Sequence, residues 1–380
     1  MKKTLLLLTL GLGLCGSTLH SAAPAFRHGV NISHWLSQNF PQRPYGAGWF
    51  NEEDVAWIAA QGFDHIRFPI DGRELMRADG SLDEKKLEPF NRALRWTKAK
   101  GLGAILDMHF LPGADFNEQN SDKRLFEDAA LMDQVAAFWA QLAKYYAKEG
   151  DYLRFELLNE PVARENSQVN VFTKRMLSAI RESNPTRIVY IPCNRWNSYK
   201  TIKDVEVPAD PNIAITFHFY EPMIFSHQRA SWVSLPQDLP SVPFPGKVPD
   251  LTKALPAGHR YLEWSGRELS AALQIDPPFA MVAAWAKENA KGREIYLGEF
   301  GAYREADPKS TEAYVRAVRQ AAERNGFSWA IWDYRGGFGD SGDSDVISGG
   351  SAHRRHHSCA EFRDLLCRFY LQKCKVFSTL

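Results

Sequence analysis

The chain has few cysteines and almost no net charge, and these two shortages exclude several classes of protein. Only five of its 380 residues are Cys. Cys15 lies near the N-terminus, Cys193 is alone in the body of the chain, and the other three fall between positions 359 and 374. This pattern is not that of a disulfide scaffold. A formal net charge of +1 argues against a nucleic-acid-binding surface.

Long apolar runs are also scarce, and the clearest one is short and N-terminal. Two lysines follow Met1, an apolar stretch covers 5–14, and the small-residue site Ala23-Pro24-Ala25 comes next. This order is typical of a secretory signal peptide, and the run is too short to span a bilayer. The sequence predicts a signal peptide over 1–25 and a secreted protein, extracellular or periplasmic, with no membrane contact after cleavage.

Several ligand-binding motifs are missing as well. No glycine-rich phosphate loop follows the first predicted strand, which disfavours a doubly wound open sheet. No His-x-His follows that strand, and no His-Glu-x-x-His helix is present, so a zinc site is not expected. We therefore expect no cofactor and no metal.

What the sequence does contain is a regular alternation of strand and helix patterns. Strands are predicted near 28–32, 64–69, 102–108, 152–158, 187–192, 212–219, 294–298 and 327–334. Helices are predicted near 51–61, 83–100, 127–148, 166–184, 277–290 and 309–324. Eight strands with intervening helices favour an α/β fold of the (β/α)8 TIM-barrel type, in a single domain over 26–339. A doubly wound open sheet is the alternative, and 222–276 is expected to be a long loop after the sixth strand.

Two of these strands end in a carboxylate. Asn159-Glu160-Pro161 follows the fourth strand, and Gly298-Glu299-Phe300 ends the seventh. In a barrel the C-terminal ends of the strands meet on one face. Two facing carboxylates are the minimum apparatus for cleaving a glycosidic bond, because one must donate a proton and the other must attack or stabilise the sugar cation.

Polar or aromatic residues stand at most other strand ends too. They are Asn31, His34, Arg67, His109, Asn159, His218, Tyr220 and Trp332. Two further polar residues are predicted to be structural. Glu156 lies four residues before Glu160, deeper in the barrel, and is expected to pair with a buried arginine. His65 is expected to be an ordinary buried histidine.

Together these motifs resemble the active-site set of glycoside hydrolase family 5, the cellulase family of the clan A retaining glycosidases. The resemblance runs from about residue 28 to 339. It implies that Glu160 is the general acid/base and Glu299 the nucleophile, held ionised by Arg67 and contacted by Tyr220. It further implies that Asn159 binds the sugar 2-hydroxyl and that Trp332 forms the floor of the cleavage site.

The same resemblance implies the remaining substrate contacts. His109 and His218 would bind sugar hydroxyls or orient the acid. Asn31 and His34, at the end of the first strand and just after it, would also contact the substrate. So would Trp232, which lies in a segment that resembles a loop over the cleft of some relatives. The chain departs from the family after Gly339, where 340–380 is an atypical tail. It either replaces the native end through a reading-frame change or forms an unusual last helix.

The resulting prediction is a secreted retaining endo-β-1,4-glucanase, a cellulase that degrades a β-linked polysaccharide or oligosaccharide. A β-mannanase or β-1,3-glucanase on the same scaffold and a catalytically silent carbohydrate-binding barrel are the alternatives. We expect a monomer with no nucleic-acid partner.

Overall fold

Eight parallel strands close into a barrel in the computed structural model, which describes residues 25–39, 43–117 and 122–336. The first strand pairs with the second on one side and with the eighth on the other, which closes the ring. The strands are His28–Asn31, His65–Asp71, Gly103–Phe110, Leu153–Glu156, Val189–Pro192, Ile213–Phe219, Glu294–Phe300 and Ser328–Ile331. The predicted (β/α)8 TIM barrel is therefore confirmed.

The long helices lie close to their predicted positions. They are Glu52–Ala60, Glu88–Ala99, Ala129–Tyr145, Asn166–Arg181, Asp276–Asn289 and Pro308–Arg324. Their starts have local causes: Asn51 and Asp54 form a capping box at the first helix, and Asp128 caps the third. Such caps satisfy backbone N–H groups that have no partner inside the helix.

The fourth strand is shorter than predicted, and this early end affects the path of the chain toward Glu160. The ladder ends at Glu156, but the backbone N–H of Leu157 still donates to Tyr190 and that of Asn159 to Met108. The chain thus continues along its neighbours without a regular ladder, and this irregular path carries Glu160 to the mouth of the barrel.

Side chains fill the barrel interior in layers, as the two-residue period of a strand requires. The lowest layer is apolar and aromatic and contains Phe26, Ile105, Tyr190 and Tyr296. His65 belongs to it, since its ring stacks on Phe26 with centroids 5.3 Å apart and Nε2 lies 3.0 Å from the Tyr296 hydroxyl. The structural role predicted for His65 is confirmed.

The segment 222–276 was predicted to be a long loop, but the structure shows that it contains several short helices and strands. It holds a helical turn at Met223–Ser226, the two-stranded pair Gly246–Lys247 and Glu268–Leu269, and a 3-10 helix at Arg260–Trp264. These elements are too short to produce a hydrophobic period, which is why the sequence pattern did not reveal them.

Two predictions concern chain ends for which the structure gives no account. Residues 1–24 of the predicted signal peptide and the atypical tail over 340–380 lie outside the described residues. The domain boundaries at 26 and 339 remain predictions. Among the described helices, none has the length and apolar character needed to cross a membrane.

Candidate active site

Several of the residues predicted at the strand ends meet at one mouth of the barrel, around the guanidinium of Arg67. Its Nε and one Nη donate to the two oxygens of Glu156 at 2.7 and 2.9 Å. The other Nη donates to Glu299 at 2.8 Å and to Asn31 at 2.9 Å. The first Nη has a second N–H, which donates to Asn159 at 2.9 Å. All five donors of this fully buried side chain are therefore used. The predicted pairing of Glu156 with a buried arginine is confirmed.

The two candidate carboxylates face one another across this mouth. An oxygen of Glu160 and an oxygen of Glu299 lie within 4.8 Å of each other, together with a ring nitrogen of His218. A one-residue register shift between Phe217 and His218 pairs His218 with Glu299, which brings the sixth and seventh strand ends into this arrangement. Glu160 has a left-handed backbone, with φ of 45°, which is rare for a residue with a side chain.

The surroundings of the two carboxylates differ. Glu299 accepts hydrogen bonds from Arg67 on Oε1 and from the Tyr220 hydroxyl on Oε2, the latter at 2.9 Å. Among the described residues, no arginine or lysine forms an ion pair with Glu160. Instead, Oε1 of Glu160 lies 2.8 Å from Nδ1 of His218. One carboxylate therefore sits beside a permanent positive charge and the other beside an imidazole.

These surroundings act on the ionisation of both groups. Burial raises the pKa of Glu160 well above its ordinary value, and the negative charge of Glu299 raises it further. Burial also raises the pKa of Glu299, but the positive charge of Arg67 opposes this rise. The arrangement favours a proton on Glu160 and a negative charge on Glu299.

Burial favours the neutral form of both histidines beside the carboxylates, His109 and His218. Burial lowers the pKa of His109 to about 3 and lowers that of His218 well below its ordinary value. Nδ1 of His109 lies 2.7 Å from Oδ2 of Asp107, so the single ring proton is assigned to Nδ1. The same Asp107 oxygen lies 3.0 Å from Arg67. Asp107 was missed from the sequence, although its position two residues before His109 places both on one face of the strand.

With this geometry established, comparison with known proteins identifies the family. The model of the cellulase family, glycosyl hydrolase family 5, matches residues 32–337. The chain belongs to glycosyl hydrolase family 5. Like the rest of this family it is a glycoside hydrolase.

The relatives of this family 5 chain include endoglucanases, a cellodextrinase and, at 24% identity, a probable glucan 1,3-beta-glucosidase of Emericella nidulans. Endoglucanase C of Acetivibrio thermocellus is 31% identical over 320 residues, which cover 82% of this chain and 92% of that protein. Cellodextrinase A of Ruminococcus flavefaciens is 25% identical, covering 79% of this chain and 83% of that protein. A solved structure of a hyperthermophilic endo-beta-1,4-glucanase in complex with substrate is 28% identical. The two structures superpose with a TM-score of 0.65, and the match covers 82% of this chain and 90% of the glucanase chain.

Further predicted contacts of this family 5 site lie around the same mouth. The Trp332 ring is parallel to that of His109, with centroids 5.6 Å apart and planes at 5°. The side-chain Nδ2 of Asn159 is buried and has no hydrogen-bond partner among the described residues. That amide therefore has unused hydrogen-bond donors.

The outer residues are less closely tied to the two carboxylates. Trp232 is 47% exposed in the segment after the sixth strand, and its ring meets Tyr303 edge-on at 4.8 Å. His34 lies in the loop after the first strand, with Nδ1 2.9 Å from the carbonyl of Gln38. Substrate contact by either residue remains a prediction.

Asn31 does not have the role predicted for it. Its side chain is fully buried, its amide nitrogen donates to the carbonyls of Gly298 and Ile331, and its oxygen accepts from Arg67. No surface of Asn31 is left for a sugar. It lies beneath the site and orients Arg67, which the sequence pattern could not distinguish from substrate contact.

The cluster of Glu160, His218 and Glu299 also has the spacing of a metal site. The donor set does not suit one, because Arg67 lies 2.8 Å from Glu299 and its positive charge repels a cation. Tyr220 already donates to the other Glu299 oxygen.

Proposed function

We propose that this glycoside hydrolase is a secreted, retaining endo-β-1,4-glucanase in which Glu160 is the general acid/base and Glu299 the nucleophile. The observation that carries the proposal is the pair of carboxylates within 4.8 Å of each other in unlike surroundings. Retaining glycosidases have carboxyl groups about 5–5.5 Å apart, whereas inverting enzymes leave about 6.5–9.5 Å for a water. The separation therefore favours the retaining route.

In the first step, Glu160 donates its proton to the leaving oxygen while Glu299 attacks the anomeric carbon. The raised pKa keeps the proton on Glu160 until it is needed. Arg67 and Tyr220 stabilise the charge on Glu299 and fix the direction of its attack. In the second step Glu160 takes a proton from water, which displaces Glu299 and restores the original configuration.

The surrounding residues supply the sugar contacts in this proposal. The free Nδ2 of Asn159 donates to the 2-hydroxyl, a contact that strengthens in the transition state. Trp332 offers an aromatic face to the sugar ring, and Trp232 an exposed face farther along the cleft. His109 and His218, both neutral, hold hydroxyls or the acid in place.

The substrate is assigned from the endoglucanases and the cellodextrinase among the relatives, while a probable glucan 1,3-beta-glucosidase among them supports the β-1,3-glucanase alternative. Reducing-sugar release from carboxymethyl cellulose, mannan, xylan and laminarin, measured in parallel, tests this assignment. The proposal expects the fastest release from the cellulose derivative. Preference for mannan or laminarin would favour the alternative hydrolases, and no release from any of them would favour a binding barrel.

The two carboxylate roles are tested by rescue with azide, a small nucleophile. Glu299→Ala opens the face of nucleophilic attack, so azide should restore turnover of an activated β-glycoside and give the α-glycosyl azide. Glu160→Ala keeps the nucleophile, so azide should give the β-glycosyl azide. Products of the opposite configurations would reverse the two assignments, and unchanged hydrolysis in both variants would refute them.

A further inference from the structure

Several buried polar atoms near the site have no hydrogen-bond partner among the described residues, and two of them belong to the sixth strand. These two are Nε2 of His218 and the hydroxyl oxygen of Thr216. Thr216 is fully buried and His218 is 3% exposed, and they stand two residues apart on the inward face of the sixth strand. Buried polar groups without partners are rare because each costs the free energy of its lost hydration.

Gly298 on the neighbouring strand brings these two atoms together. A Cβ at position 298 would lie 2.8 Å from the Thr216 hydroxyl and 2.9 Å from Nε2 of His218. The two atoms are therefore no farther apart than the sum of those distances. One bridging water spans the upper end of this range, and rotation of the threonine about χ1 closes a shorter gap. Only a residue without a side chain lets the imidazole and the hydroxyl share this space.

The hydrogen bonds at the two nitrogens of the neutral imidazole together determine which of them carries the proton. Burial keeps the pKa of His218 low, so the ring has a single N–H. If that proton were on Nε2, Nδ1 could only accept, and the acid proton of Glu160 would be drawn toward the histidine. If it is on Nδ1, Oε1 of Glu160 accepts it, and Oε2 is free to hold the proton meant for the leaving oxygen.

We propose that Thr216 is a positioning residue for Glu160. Its hydroxyl, directly or through one buried water, donates to Nε2 of His218 and so fixes the tautomer in which Nδ1 donates to Glu160. A hydroxyl can supply the hydrogen that this role requires. The inference rests on the proposed role of Glu160 as the acid.

The test replaces the hydroxyl while keeping the shape. Thr216→Val removes it, Thr216→Ser keeps it, and Thr97→Val removes a buried hydroxyl from a helix outside the barrel, where it bonds to Leu94. The assay is kcat/KM on aryl β-cellobiosides whose leaving groups range from dinitrophenol to phenol. Only poor leaving groups need the acid.

For Thr216→Val we expect kcat/KM on the phenyl substrate to fall about tenfold or more, because the variant loses part of what a general acid contributes. On the dinitrophenyl substrate, which does not need the acid, we expect kcat/KM to change by less than about twofold. Thr216→Ser and Thr97→Val should follow the wild type on both. A loss of the same size on every leaving group would assign Thr216 a merely structural role and overturn the inference. So would no loss at all.

A second measurement reads the tautomer directly. The 15N chemical shifts of His218 should report protonated Nδ1 in the wild type and in Thr216→Ser, and a shift toward protonated Nε2 in Thr216→Val. The same tautomer in all three proteins would overturn the inference.

Glu160→Gln separates the two proposals. If this variant loses as much on dinitrophenyl as on phenyl substrate, the assignment of Glu160 as acid fails. If it shows the expected leaving-group dependence and Thr216→Val does not, only the role of Thr216 fails.

Discussion

Replacing Arg67 by methionine should destabilise the fold strongly and in a pH-dependent way. Arg67 is the counter-ion of Glu156, Asp107 and Glu299, all of them buried. Methionine fills much of the same space but leaves these carboxyls without a cation. Removing one partner of a buried ion pair costs about 3–5 kcal/mol, because the other charge stays buried and uncompensated.

The sign of the pH dependence is set by the carboxyls that remain. Burial raises the pKa of Asp107 and of Glu156 to about 7, with Arg67 opposing the rise in both. A carboxyl with a raised pKa in the folded protein stabilises the fold when protonated. That contribution is complete below its ordinary pKa and is lost as pH rises through the folded value. Without Arg67 both values move higher still, so the penalty of Arg67→Met should be largest above pH 7.

Urea unfolding followed by far-UV circular dichroism at pH 5 and pH 8 measures this penalty. We expect a loss of about 3–5 kcal/mol at pH 8 and a smaller loss, about 1–3 kcal/mol from hydrogen bonds alone, at pH 5. Arg187→Met is the matched control. Arg187 is also buried, but its hydrogen bonds go to backbone carbonyls and to Asn184. Equal losses for Arg67→Met at the two pH values, or the same pH dependence in the control, would refute the reasoning.

Three further predictions concern the site. Glu299→Gln should lower the pKa of Glu160, because it removes the negative charge that raises it; 13C NMR titration of the carboxyl measures this, and an unchanged or higher pKa would contradict it. Gly298→Ala should lower kcat about tenfold or more by displacing the neighbouring imidazole, whereas Gly48→Ala, whose Cβ meets no atom within 4 Å, should not; equal activity of the two variants would count against the packing argument. Trp232→Ala should raise KM for long cellodextrins by about tenfold through loss of a stacking face, with little change in kcat, and an unaltered KM would remove Trp232 from the substrate contacts.

Much of the barrel and its mouth could be predicted from the sequence because both depend on local patterns. The alternation of strand and helix periods predicts eight strands. The rule that strand ends share one face then predicts that Glu160, Arg67 and Glu299 meet. Distance along the strand also correctly separates Glu156, which lies deeper, from Glu160.

What could not be predicted depends on long-range geometry. The register shift at Phe217 and His218 leaves no mark in either strand sequence, yet it sets the position of His218 beside both carboxylates. Asn31 lies at a strand end like the other site residues, and only its three buried hydrogen bonds reveal that it supports Arg67. The approach of Thr216 to His218 through the space above Gly298 is likewise visible only in three dimensions.

The most direct test of the central claim is to trap the covalent intermediate. A 2-deoxy-2-fluoro-β-cellobioside with a dinitrophenyl leaving group should inactivate the enzyme, because fluorine slows both steps and the good leaving group speeds only the first. Peptide mapping by mass spectrometry should then locate one added fluorinated cellobiosyl group on Glu299. Labelling of Glu160 or another residue, or release of products with inverted configuration and no labelled peptide, would contradict the account.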